Sequence, residues 1–149
     1  MTRKTKKIGK VVSLAAAEER RYSEQTGRSQ QVLNQQRDRL GELSDYRRSY
    51  ASKAPVDASI SSVHWKDYQT FMQRLDQAAQ SQRQVIRECE QNLEMHRQRW
   101  LIKRQKLESL ERVLEKCEKR DAIYAARLEQ KQLDELQNNQ QNVFKDGDG

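Results

Sequence analysis

The stretch WKDYQTFMQRLDQAAQSQRQVIRECEQNLEMHRQRWLIKRQKLESLERVLEKCEKRDAIYAARL, residues 65–128, carries apolar residues at seven-residue spacing along its whole length. One series reads Trp65, Met72, Ala79, Ile86, Leu93, Trp100, Leu107, Leu114, Asp121 and Leu128. The interleaved series reads Tyr68, Leu75, Gln82, Cys89, His96, Lys103, Leu110, Cys117 and Tyr124. Apolar residues that return every three and four positions, with no Pro or Gly between them, specify one long helix with a coiled-coil seam. The few polar members, Gln82, His96 and Lys103, are the kind of seam position that sets register. A rod of this kind offers surface and length but no cleft, so its chemistry is to bind, brace or couple other proteins.

Working outward, residues 5–52 read as a first helix with a patchier stripe of Ile8, Val12, Ala15, Tyr22, Leu33, Leu40, Leu43 and Tyr50. Gly27 and Gly41 lie within it and each costs about 1 kcal/mol against Ala, so this helix needs packing to hold it. Residues 53–61, KAPVDASIS, contain the single Pro and break both periodicities, which marks a turn. Ser61 or Ser62 can cap a second helix over 62–140, and the polar residues 141–149 read as a disordered tail. The expected fold is all-α, an antiparallel two-helix coiled-coil hairpin with unequal arms, forming one domain over 1–149. The first arm spans about 72 Å and the second about 120 Å. Pairing counted from the turn sets Leu43 near Phe71, Leu40 near Leu75, and Ile8 near Lys103 to Lys106. Beyond Leu107 the second helix then has no partner in the chain, although Leu107, Leu110, Leu114, Cys117, Tyr124 and Leu128 continue its apolar face. Leaving that face in water forfeits about 25 cal/mol per Å². Another protein or a second copy should cover it.

Composition agrees with a solvent-bathed rod: 34% of residues are hydrophobic, 34% are charged, and Gly and Pro are scarce. The net charge of +7 points to acidic partners, whether nucleic acid, anionic lipid or an acidic protein surface. Val11 to Ala17 follows a basic start, as in a secretory signal, but it runs into Glu18-Glu19-Arg20-Arg21 at helical spacing and reads as helix. Cys89 and Cys117 share the seam about 42 Å apart along one helix. They cannot bridge each other, so they read as small buried residues of a reducing, cytoplasmic compartment.

No catalytic, cofactor or metal site emerges. His64 and His96 are far apart and lack Cys or carboxylate neighbours at ligand spacing, and Gly9-Lys10 lacks the rest of a phosphate loop. Two basic clusters stand out: Arg3, Lys4, Lys6, Lys7 and Lys10, and Arg97, Arg99, Lys103, Arg104 and Lys106. In the expected register they form a belt at one height. Nucleic acid is disfavoured there, because stacking aromatics are missing apart from Trp100 on the seam. Near the turn, Leu43, Tyr46 and Tyr50 on one helix and Phe71, Leu75 and Ala78 on the other form an aromatic and aliphatic patch suited to anchoring a partner.

The turn-proximal DYRRSY and VHWKDYQTFMQRLDQA, together with the late segment ARLEQKQLDEL (126–136), resemble the flagellar export protein FliJ family. The resemblance covers nearly the whole chain and implies a cytoplasmic, non-enzymatic component of the flagellar type III export machine, peripheral to the inner membrane at the flagellar base. It implies an antiparallel coiled coil, similar to the stalk of rotary ATPases, whose terminal end enters the central pore of the hexameric export ATPase FliI. The other end is expected to contact the export gate protein FlhA, and family members also escort export chaperones. Gate-contact positions of the family fall here on Leu43, Tyr46, Tyr50, Phe71, Leu75 and Ala78. Two further positions depart, Arg39 where the family has Gln and Gln82 where it has His. Pattern and resemblance together assign ring contact to Lys6, Lys7, Lys10, Arg99, Lys103, Arg104, Lys106, Leu110, Leu114, Tyr124 and Leu128. The alternatives are the equivalent stalk protein of a virulence injectisome and a basic coiled coil associated with nucleic acid.

Overall fold

The computed structural model describes residues 1–53 and 62–147. Most of the expected turn, including Pro55 and the candidate cap Ser61, lies outside them. Two helices make up the described chain: α1, Arg3–Ser52, of 50 residues, and α2, Ser62–Gly147, of 86 residues. This is the all-α, two-helix arrangement that the seam specifies, with the second helix the longer. The chain divides into two units, Arg20–Ile102 toward the turn and Met1–Glu19 with Lys103–Gly149 at the terminal side.

In the turn-side unit, Leu33, Ile86 and Leu93 are 2%, 8% and 4% exposed and form the core, with Leu40 and Cys89 packed against it. The helices run antiparallel: Arg47 bonds Asp76, Arg37 bonds Glu90, and Arg97 bonds Gln30. Polar seam residues meet polar partners. Gln82 Nε2 donates to the Gln36 carbonyl at 2.9 Å and to its side-chain oxygen at 2.7 Å. Thr26 Oγ1 lies 3.3 Å from the His96 carbonyl across the seam, while His96 Nδ1 is buried without a hydrogen-bond partner among the described residues.

The terminal unit is thinner. Ala15 and Thr5 are its buried residues, and Leu107, Leu110, Leu114 and Cys117 are half-buried. Lys103 Nζ sits 2.8 Å from Glu18, and Thr5 Oγ1 donates to Asp121 at 2.7 Å. Within α2, every residue from Tyr68 to Asp121 that is not exposed belongs to the two heptad series, with Phe71 the single addition. All eight stripe residues of α1 likewise face inward.

Three expectations need correction. The register is shifted by about two helical turns: Ile8 does not face Lys103, which pairs with Glu18 instead. Counting from the turn assumed that the helices meet where they leave it. Yet α2 begins with Val63 and Trp65, 64% and 45% exposed, before Tyr50 packs on Phe71. The observed register gives the seam polar groups Lys103, Gln82 and Asp121 polar partners on α1, whereas the counted one would set Lys103 against Ile8. Burying such groups unpaired is costly, so the polar layers decide the alignment.

In consequence, the unpartnered stretch of α2 begins after Asp121, not after Leu107, since α1 covers residues 107–117. The third correction concerns the tail, because α2 continues through 141–147. Within α2 no Pro or Gly precedes Gly147, Asn and Gln are tolerated in helices, and Lys145 in the last turn favours the helix dipole.

Candidate partner-binding surfaces

Tyr46 and Tyr50 are one helical turn apart on α1, so their rings lie side by side with centroids at 4.8 Å. Phe71 of α2 closes the group, 4.7 Å from Tyr50 and 6.3 Å from Tyr46. The Tyr46 hydroxyl donates to that of Tyr50 at 3.3 Å, and this bond raises the Tyr46 phenol above its usual pKa. Lys53 Nζ stands 5.9 Å from the Tyr50 ring centroid. Tyr46 remains 49% exposed, an aromatic face held by its neighbours yet open to solvent. Beside it, Arg39, Glu42, Leu43, Tyr46 and Gln82 line a groove of about 450 Å³.

Of the expected gate residues, Arg39, Leu43, Tyr46 and Gln82 therefore share one groove, and Tyr46, Tyr50 and Phe71 share one aromatic cluster. Leu75 is buried in the helix pair, and Ala78 is exposed. Sequence reasoning missed Trp65 as a surface residue by assigning it to the seam. It stacks on Tyr68 with centroids 5.8 Å apart and planes at 24°. Its place at the very start of α2, where a partner helix is least assured, was the available signal.

The terminal unit presents a different surface. Lys6, Lys7, Lys10 and Lys106 are exposed, while Lys103 pairs with Glu18 and Arg104 with Glu108 at 3.3 Å. Arg97 and Arg99 belong to the turn-side unit, so the basic belt is not one surface within either unit. Leu110 and Leu114 are half-covered by the helix pair, which removes them from the open apolar face expected there. Leu114 instead lines a groove of about 660 Å³ with Thr5, Lys6, Gly9, Lys10 and Leu14. Tyr124 and Leu128 are 64% and 43% exposed, and Ile123, Leu133, Leu136, Val143 and Phe144 extend the uncovered apolar surface along α2. Asp121 ends the paired region: the Thr5 hydroxyl and the Thr2 amide hold its carboxyl below the usual carboxylate range.

These surfaces can grip side chains and helices. Among the described residues, no cluster of three His, Cys, Asp or Glu could hold a metal ion, and no helix is long and apolar enough to cross a membrane.

Comparison with known proteins adds a family. Residues 5–143 match the family described as "Flagellar FliJ protein". The Flagellar FliJ protein of Escherichia coli (strain K12) is 29% identical over 112 residues, covering 74% of this chain and 76% of that protein. The protein of the same name from Salmonella typhi is 26% identical over 112 residues, with the same coverage. No solved structure matches.

Proposed function

The chain belongs to the flagellar FliJ family, and so to the components of flagellar type III protein export; from that premise we propose that it acts there as a stalk-like coupling protein. In this reading the terminal unit enters the pore of the hexameric export ATPase FliI. The turn-side unit contacts the export gate FlhA, which keeps the protein at the cytoplasmic face of the inner membrane. Export chaperones are further partners. No catalytic or cofactor role is assigned. Membership of a flagellar family favours this over the injectisome equivalent.

One observation carries the reading: partner-suited surfaces of different chemistry occur in the two units. The turn-side surface is a small aromatic cluster with a groove flanked by Arg39 and Glu42. The terminal surface combines exposed lysines with an uncovered apolar stretch of α2 that starts at the last residue α1 reaches. Rigid aromatics anchor protein interfaces well, and an uncovered apolar helix face gains free energy on insertion into a ring.

The test uses two variants and two purified partners. Tyr46→Ala with Tyr50→Ala should weaken capture by the FlhA cytoplasmic domain at least tenfold and leave helicity and ring capture intact. Tyr124→Ser with Leu128→Ser should do the reverse. If the tyrosine variant loses helicity, those rings hold the helix pair together and the gate assignment fails. A complex with the ATPase hexamer that survives raised salt would exclude nucleic acid as the main partner, since binding to phosphates falls steeply with salt.

A further inference from the structure

The first turns of α1 break two local rules. Arg3, Lys4, Lys6, Lys7 and Lys10 crowd the positive end of the helix dipole, and no acid occurs before Glu18. Cations at that end are disfavoured by the same interaction that makes carboxylates favourable there. All five are exposed, and none forms an ion pair among the described residues. The second broken rule concerns apolar exposure. Leu14 is 72% and Val11 46% exposed, among those cations. The seam takes Ile8, Val12 and Ala15 inward, so heptad position sets Lys7, Lys10 and Leu14 on the outward side of the helix, with the exposed Lys4 and Val11 on its flank.

We infer that this outward side of α1 binds the surface of an anionic phospholipid bilayer. Lysines reach headgroup phosphates while their stems, with Leu14 and Val11, settle at the boundary with the acyl chains. Cations that oppose the dipole in water become an asset against such a surface. The helix is already formed by its pairing with α2, so binding bears no cost of folding it. A nucleic acid would satisfy the lysines alone. It would leave Leu14 and Val11 in water, and this stretch has no aromatic on which a base could stack. Glu118 lies across the groove from Lys6 and Lys10, so Lys4 and Lys7 are the cleaner contacts. The inference goes beyond the gate reading, because the contact is with lipid itself. Since Lys7 and Lys10 also belong to the ring-facing set, bilayer and ring are alternative occupants of this surface.

Co-sedimentation of the full chain with phosphatidylcholine vesicles, with and without phosphatidylglycerol, tests it. Binding should require phosphatidylglycerol and weaken with salt. Each cation near such a surface is worth about fivefold in partition, so Lys4→Gln, Lys7→Gln and Lys10→Gln together should lower it about a hundredfold. Leu14→Gln should lower it about tenfold. Circular dichroism should remain that of the native chain in both variants, as all four side chains are exposed. Failure of the native chain to bind phosphatidylglycerol vesicles overturns the inference. So does unchanged binding by the lysine variant. A short DNA duplex that displaces the vesicles, with Leu14→Gln at native affinity, would instead assign the patch to nucleic acid.

Discussion

The turn-side unit closes its seam with Leu33, Ile86 and Leu93, whereas the terminal unit closes the same heptad pattern with Ala15, Thr5 and half-exposed leucines. In the first, two polar layers, Gln36 with Gln82 and Thr26 with His96, interrupt an aliphatic core. In the second, polar contacts predominate: Glu18 on Lys103 and Thr5 on Asp121. The difference is one of job within a single periodicity. Aliphatic layers supply stability, which grows with apolar area removed from water. Polar layers add little net stability but penalise misalignment, so they fix where α1 ends against α2 and hence where the uncovered stretch begins.

Substitutions in the two seams should separate these jobs. Leu33→Ala removes a side chain that is 2% exposed and should cost about 2–5 kcal/mol, read as a lowered midpoint of thermal or urea unfolding. Leu107→Ala, at an equivalent heptad position of the terminal unit, should cost well under half as much because its site is already half-open. Equal losses would mean that the terminal seam is as tightly packed as the other, and the contrast would fail.

A smaller effect of opposite sign is expected at Gly27. A Cβ there meets nothing within 4 Å, so Gly27→Ala should stabilise the turn-side unit by about 1 kcal/mol through helix propensity alone. Gly9 is equally open but lies in the terminal groove. Gly9→Leu should therefore raise helicity as Gly27→Leu does, yet only Gly9→Leu should weaken capture by the export ATPase. Equal capture by both variants would remove that groove from the ring-facing surface.

Much of this was legible in the sequence, for a physical reason. A coiled-coil seam is local and periodic, so Tyr68 through Asp121 could be assigned face by face, and the aromatic trio Tyr46, Tyr50 and Phe71 could be grouped. Register was not legible by counting from Pro55, because a turn does not dictate how far one helix runs before the other meets it. The polar members of the seam held that information, but it lies in pairs: Gln82 needs Gln36, Lys103 needs Glu18, and Asp121 needs Thr5. Reading Gln82 and Lys103 one at a time as register-setting residues left their partners unnamed. The exposed Trp65 and the half-covered Leu110 and Leu114 both follow from that one omission.

The smallest effect is also the most specific to the terminal unit. The Thr5 hydroxyl and the Thr2 amide bond to the carboxylate form of Asp121, so its folded pKa lies below the unfolded value of about 3.9. A group shifted in this direction contributes stability above its unfolded pKa and loses it as pH falls through the folded one. Acidification below about pH 4 should therefore fray the start of α1, while amides around Leu33 stay protected. Hydrogen exchange followed by mass spectrometry resolves the two units. Asp121→Asn should abolish the acid step and leave the first turns of α1 less protected at neutral pH. An acid step that survives Asp121→Asn, or one that loosens both units together, would show that another carboxylate governs it and that Asp121 does not anchor the end of the pair.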